Sequence, residues 1–194
     1  MQGTSVRARV LIDALIPRFG VGREAVLMGT GTLFLALAAQ VQVLLPFSPV
    51  PVTGQTFAVL LLGALYGSRR APATVLTYLS VGALGLPVFA AGGWGLARLA
   101  GPTGGYLVGF LAAAYVVGAL AERGWDRRPW TTAASMVLGN AVIYTTGALW
   151  LCQFVGARAV LATGVLPFLP GDAAKVVLAM LLLPAGWRLI GRGG

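Results

Sequence analysis

Six apolar stretches, separated by short segments rich in proline, glycine or arginine, organise this chain. The first runs from Ala25 to about Leu45, the second from Gln55 to Tyr66, and the third from Ala71 to about Leu86. The fourth covers Gly104 to Ala121, the fifth Trp130 to Phe154, and the sixth Asp172 to Ile190. About 20 apolar residues carry a helix across the hydrocarbon core of a bilayer. The pattern therefore predicts an all-α, polytopic membrane protein with six transmembrane helices. Several stretches are short for that core, the second most of all. In residues 1–24, Pro17 and Gly20 break any continuous helix, so this segment reads as separate from a membrane-embedded domain over 25–194.

Composition narrows the class. Of 194 residues, 58% are hydrophobic and 10% charged, against about 25% charged in an average soluble domain. The mean hydropathy is +0.86. Too few polar side chains exist to cover a soluble globule, and the six stretches leave no room for a large extramembrane domain. Basic residues, an apolar run and Ala36-Leu37-Ala38 imitate a signal peptide with its cleavage site. Against that, the run continues past the site and five more stretches follow.

Lysine and arginine total 14 against five acids, a net charge of +9. In a soluble protein this balance suggests nucleic acid; here the positions decide otherwise. Arg7, Arg9, Arg18, Arg23, Arg69, Arg70, Arg123, Arg127, Arg128, Arg188 and Arg192 fall at the termini and the even-numbered connections. The odd-numbered connections, 46–55, 87–103 and 155–171, hold only Arg98 and Arg158. Eleven against two is a positive-inside bias that predicts cytoplasmic N and C termini, residues 1–24 included. The charge needs no nucleic acid to explain it.

The ionisable inventory excludes several chemistries. No histidine is present, so His-based triads and His metal sites are out. Cys152 is alone and forms no internal disulfide. No Gly-Lys pair exists, so there is no P-loop and no ATP hydrolysis by that route. Neither a catalytic set, a metal site nor a cofactor is expected.

What remains is the neutral outer face, built from three Pro- and Gly-rich loops. Alternate prolines in Pro46-Phe47-Ser48-Pro49-Val50-Pro51 favour an extended backbone. The loop from Pro87 to Gly95 contains Phe89, Gly92, Gly93 and Trp94. Its glycines suit a loop that folds over a ligand, or equally a flexible connector with Trp94 in the interfacial aromatic belt. The sharpest signal is Pro170-Gly171-Asp172-Ala173-Ala174-Lys175, which opens the last stretch. Asp172 and Lys175 are three apart, hence on neighbouring parts of one helix face. Ionisable groups in a span usually face an interior or wet cavity, although an i,i+3 ion pair with a snorkelling lysine needs no ligand. Other polar residues at span depth are Gln40, Gln42, Tyr78, Asn140, Tyr144, Thr145 and Thr146. Tyr144 falls one turn beyond Asn140, placing both toward one cavity or in interhelical hydrogen bonds. The stripes Gly105, Gly109, Ala113 and Gly63, Gly67 are packing features.

Four ordered segments resemble the BioY family, the biotin-specific S components of energy-coupling factor transporters. They are Pro49-Val50-Pro51-Val52-Thr53-Gly54-Gln55-Thr56-Phe57-Ala58-Val59, Tyr78 to Ala90, Gly101-Pro102-Thr103-Gly104-Gly105-Tyr106-Leu107, and Pro170-Gly171-Asp172 to Lys175. The resemblance runs from about residue 25 to 190. It implies a multi-pass cell-membrane protein that captures biotin from outside, with a lid that closes before inward release. It also implies partners, namely a transmembrane scaffold subunit and two cytoplasmic ATPase subunits, with no nucleic acid. Family members meet the scaffold through an Ala-x-x-x-Ala pattern on the first helix. This chain departs from it, with Ala25/Gly29 and Thr32/Ala36 as the nearest equivalents.

On that resemblance, Asp172 and Lys175 are ligand contacts, with Asn140 and Tyr144 as second contributors. Phe89, Gly93 and Trp94 in the lid, and Tyr106 beyond it, complete the set, and Arg98 is a spare partner for a carboxylate. The chemistry agrees. Ionised Asp172 accepts from the ureido N–H groups of biotin, and Lys175 meets either the ureido carbonyl or the ligand carboxylate. Two rivals are an intramembrane enzyme acting on a lipid or polar head group and a structural or channel subunit. Acid–base pairs are scarce for the first, with no histidine and only Asp172 at an outer span edge; the second lacks rings of charge or a pore-lining polar stripe.

Overall fold

A computed structural model describes residues 10–15 and 20–191. Arg7, Arg9, Arg18 and Arg192, and most of the segment 1–24, lie outside the described residues. The element order is α1 (Leu11–Leu15), α2 (Gly20–Gln40), β1 (Gln42–Val43), β2 (Val52–Thr53), α3 (Gln55–Ala83) and α4 (Leu96–Ala100). Then come α5 (Gly104–Ala121), α6 (Pro129–Val155), α7 (Val160–Gly164) and α8 (Leu169–Gly191). Among the described residues, α5, α6 and the run 160–191 that ends in α8 are long and apolar enough to cross a membrane.

The second and third predicted stretches form one helix in name only. Gly67 stands at φ 84°, ψ 179° inside α3, a conformation that L side chains avoid. Gln55 and Tyr78 would lie roughly 35 Å apart along a straight helix. Their side chains are instead hydrogen-bonded, Gln55 Nε2 to Tyr78 Oη at 2.7 Å. The chain therefore reverses at Gly67 into two antiparallel arms, 55–66 and 68–83. Glu122 secures the turn, where Oε1 accepts from Ser68 N and Oγ at 2.8 Å each. Gly118 of α5 packs directly on the Gly67 backbone, where a Cβ would stand 2.5 Å from Ser68 N. The second arm resumes at 68, so Arg69 and Arg70 belong to helix rather than to a loop.

The predicted boundaries shift elsewhere too. The first apolar run stops being helical at Gln40, not Leu45. Its last residues form a two-residue ladder with the segment before α3, Gln42 against Thr53 and Val43 against Val52. Pro46 downstream and the β-branched Val41 and Val43 favour that extended exit. The last helix begins at Leu169, three residues early, with Pro170 in the first turn where its missing N–H costs nothing.

The core sits where α3, α5 and α6 meet: Val59, Val75, Val117, Ile143 and Leu151 are all fully buried. The small-residue stripe of α5 is the packing feature expected. Gly105 faces Trp150, and Gly109 faces Thr146, both with no room for a Cβ. The outer surface is apolar, with Leu37, Trp130, Leu149, Leu181 and Leu189 largely exposed, as a lipid-facing surface requires. At the arginine-rich end, Arg70 pairs with Asp13 at 2.9 Å and with Glu24 at 2.8 Å, tying α1, α2 and α3 together. The opposite end gathers the ends of α2, α3, α5, α6 and α8, together with their loops.

Candidate ligand-binding site

At that end a cavity opens between α3, α5, α6 and α8. Apolar residues supply most of its wall, including Val50, Pro51, Leu107, Phe110 and Phe168. Its polar wall consists of Thr53, Gln55, Thr56, Thr103, Tyr106, Tyr144, Arg98 and Lys175. A mainly apolar space with a few convergent polar groups is the form of a small-molecule site.

The i,i+3 spacing on α8 works as the sequence suggests. Lys175 Nζ lies 2.8 Å from Asp172 Oδ1. The same ammonium donates to Thr56 Oγ1 at 2.8 Å and to the Thr53 carbonyl at 2.9 Å. Three acceptors satisfy three N–H groups. Asp172 is equally engaged: Oδ1 also accepts from Thr56 Oγ1 at 3.3 Å, and Oδ2 accepts from the Tyr144 hydroxyl. Asp172 is 4% exposed and stands behind Lys175 and Tyr144 rather than on the cavity wall.

Arg98 differs. Its guanidinium makes one described hydrogen bond, Nη2 to the Ala90 carbonyl at 3.3 Å. Since Asp172 balances Lys175, Arg98 is the cation on the wall without a carboxylate partner among the described contacts. It leaves the cavity with a net attraction for one anion.

The lid is organised around Phe89, which is 1% exposed and stacks edge-to-face on Tyr78, ring centroids 5.5 Å apart. Tyr78 in turn donates to the Val88 carbonyl at 3.0 Å and accepts from Gln55. Gln40, at the end of α2, grips the loop's backbone twice, donating to the Phe89 carbonyl and accepting from Gly92 N–H. A bridge pairs Phe89 with Gly93, Phe89 N to Gly93 O at 3.0 Å. On the far side, Tyr106 donates to the Gly164 carbonyl at 2.8 Å and Ser48 to the Thr163 carbonyl at 2.6 Å, closing the other loops over the cavity.

Of the predicted residues, Lys175, Tyr144, Phe89, Tyr106 and Arg98 meet at one cavity. Trp94 does not: it is 64% exposed. The Phe89–Gly93 bridge turns Phe89 inward, and the neighbour of Gly93 then points away. Gly93 shapes the bridge but does not line the cavity. Asn140 borders a different space, a groove between α6 and α8 that also touches Tyr144 and Asp172. Gln55, Thr56 and Thr103 lay in the segments that carried the resemblance, and polar residues at helix starts are the signal that marks them. Phe110 and Phe168 sit among many apolar residues, and nothing in the sequence distinguishes them.

Residues 11–192 match the model of the BioY family. The chain is 38% identical over 161 residues to the biotin transporter BioY of Thermotoga maritima, covering 82% of this chain and 93% of that one. It is also 38% identical over 151 residues to the probable biotin transporter BioY of Pyrococcus horikoshii, covering 77% and 89% respectively. Its fold resembles a crystal structure of the S-component for biotin from an ECF-type ABC transporter. There the TM-score is 0.73 at 22% identity, covering 87% of this chain and 94% of the other.

Proposed function

The chain belongs to the BioY family, and from that premise we propose that it is a biotin-binding S component that captures biotin at the outer face of the cell membrane. The observation that carries this reading is the cavity itself. It offers an apolar enclosure for the sulfur ring and four-carbon tail, a buried carboxylate–ammonium pair at α8, and a separate uncommitted cation, Arg98, on the lid side.

The two cations suggest an orientation. Lys175 has no spare donor, whereas Arg98 has several. The biotin carboxylate goes to Arg98 by charge-assisted bonding. The ureido group goes to the α8 end, where Asp172 accepts its N–H. Phe89 covers the ligand, and a lid already held by Gln40 and Tyr78 limits the cost of ordering on binding.

The reversal at Gly67 divides α3 into two arms, and with α2, α5, α6 and α8 these supply the six spans of the topology. Arginines cluster at the end opposite the cavity, which orients both termini to the cytoplasm. The described part of the segment 1–24, α1 and the first residues of α2, belongs to the arginine-rich, cytoplasmic end. With no P-loop in the chain, energy comes from two cytoplasmic ATPase subunits acting through a transmembrane scaffold, and the chain binds without catalysing a reaction. The deciding experiment is equilibrium binding of labelled biotin to the detergent-purified protein, with thiamine and riboflavin as controls. Tight, biotin-selective binding without turnover is expected. Equal binding of all three vitamins, or none of any, overturns the assignment.

A further inference from the structure

Asn140 and Tyr144 stand one turn apart on α6 and border the same groove as Asp172. They differ in one respect. Tyr144 donates to Asp172 Oδ2. Asn140 is 8% exposed, and its Oδ1 has no hydrogen-bond partner among the described residues. A buried acceptor without a donor is uncommon and calls for a reason.

The carboxylate supplies one. Both Asp172 oxygens are occupied, Oδ1 by Lys175 and Thr56 and Oδ2 by Tyr144. Asp172 is 4% exposed and stands behind Lys175 and Tyr144, so a ligand N–H reaches its carboxylate by displacing a donor rather than by adding to the lone pair left on Oδ2. Lys175 carries the balancing charge, and Thr56 also helps to hold Lys175. Tyr144 is neutral and makes a single hydrogen bond, so it is the donor that leaves at least cost. Its hydroxyl then needs another acceptor, since a stranded one would offset the ligand's gain.

We infer that Asn140 is a positioning residue whose Oδ1 receives the Tyr144 hydroxyl when a ligand N–H takes Asp172 Oδ2. Helical side chains lean toward the helix N-terminus, so the Tyr144 ring overlies the turn that carries Asn140. The exchange breaks one tyrosine–carboxylate hydrogen bond and forms two, ligand N–H to Asp172 and tyrosine O–H to the Asn140 amide oxygen. No proton changes owner. Asn140 thus acts on affinity without touching the ligand, and it favours ligands that bring an N–H donor. The inference rests on the reading of the cavity as a biotin site.

The test is a double-mutant cycle on the full chain in detergent, with biotin affinity measured by calorimetry. Asn140→Leu is expected to weaken binding about 10-fold, the size of one stranded hydrogen bond. Tyr144→Phe supplies the reference background, in which Asp172 Oδ2 is already vacated and no hydroxyl needs a second acceptor. The double variant is expected to match Tyr144→Phe. A similar loss from Asn140→Leu in both backgrounds would mean direct ligand contact or general packing, and no loss in either would mean no role; each overturns the inference. Asn140→Ala replaces the leucine variant if that one does not fold. Failure of wild type to bind biotin strikes the site assignment, and this inference with it. Wild-type binding with an uncoupled cycle strikes the inference alone.

Discussion

Phe89 places its ring against Gly82, in the space that a single methyl group on Gly82 would fill. Gly82 lies one turn after Tyr78 on the second arm of α3, so the glycine and the tyrosine form a slot for the lid's aromatic plug. The lid's closed position depends on a missing side chain in the second arm of α3.

Replacing Gly82 by alanine is therefore expected to expel Phe89 while leaving the helix intact. Helicity by circular dichroism should match wild type. Biotin dissociation followed by stopped flow should accelerate at least about 10-fold, the equivalent of about 1.4 kcal/mol. An unchanged off-rate would mean that Phe89 is not the plug.

Asp172 and Lys175 should fail separately but recover fold together. Asp172→Asn leaves the Lys175 ammonium without its counter-charge in a mostly buried position. Breaking a buried pair costs about 3–5 kcal/mol, toward the lower value here because the lysine side chain is 22% exposed. A lowered melting temperature and loss of biotin binding are expected, and Lys175→Ala should lose binding too. Combining Asp172→Asn with Lys175→Met removes both charges and should restore melting but not binding. Calorimetry showing wild-type affinity in any of the three would remove these residues from the site.

Arg98 is separable from Lys175 by ligand chemistry. Arg98→Gln should weaken biotin by about 10–100-fold, in the range of a charged hydrogen bond. Biotin methyl ester, which lacks the carboxylate, should bind wild type and Arg98→Gln with similar affinity. If the variant loses both ligands equally, Arg98 supports the lid rather than the carboxylate.

The arginine-rich end has its own pH dependence. Asp126, in the turn Trp125–Arg127 between α5 and α6, is held by Trp187 Nε1 of α8 while Arg127 stacks over the same indole, 4.4 Å from its centroid. Burial pushes the Asp126 carboxyl up to about 6, against hydrogen bonding from Trp187, which pulls it down. A carboxyl raised in the folded state binds more protons there than when unfolded, so stability is greatest at low pH and falls as pH rises from about 4 to 6. The ionised form is disfavoured by roughly 3 kcal/mol at most. Melting temperatures recorded from pH 4 to 7.5 should decline across that window for wild type. They should be flatter for Asp126→Asn, which keeps an acceptor for Trp187; equal slopes would show that another group titrates.

Much of this protein is read from local pattern. The runs 104–121 and 130–154 coincide with α5 and α6 almost residue for residue, because uninterrupted apolar sequence with flanking glycine, proline or arginine leaves a helix little choice of limits. Asp172 and Lys175 are also legible, since an i,i+3 pair in one helix is a local relation. The exit from α2 at Gln40 is not, because Val41 to Leu45 remain apolar while their backbone pairs with residues 52–53, distant in sequence.

The tertiary structure decided what each polar group does. Tyr106, Tyr144 and Phe89 come from three separate elements and reach one cavity only after α3 reverses at Gly67. Trp94, one residue from a bridge that turns Phe89 inward, ends in the open. Asn140 has the right helical phase to join Tyr144, yet the Tyr144 hydroxyl goes to Asp172, on another helix. Sequence determines which groups are apolar, charged or rigid, and so the class, the spans and the candidate pair. Which partners share a hydrogen bond depends on helices brought together across the fold, and no local pattern carries that.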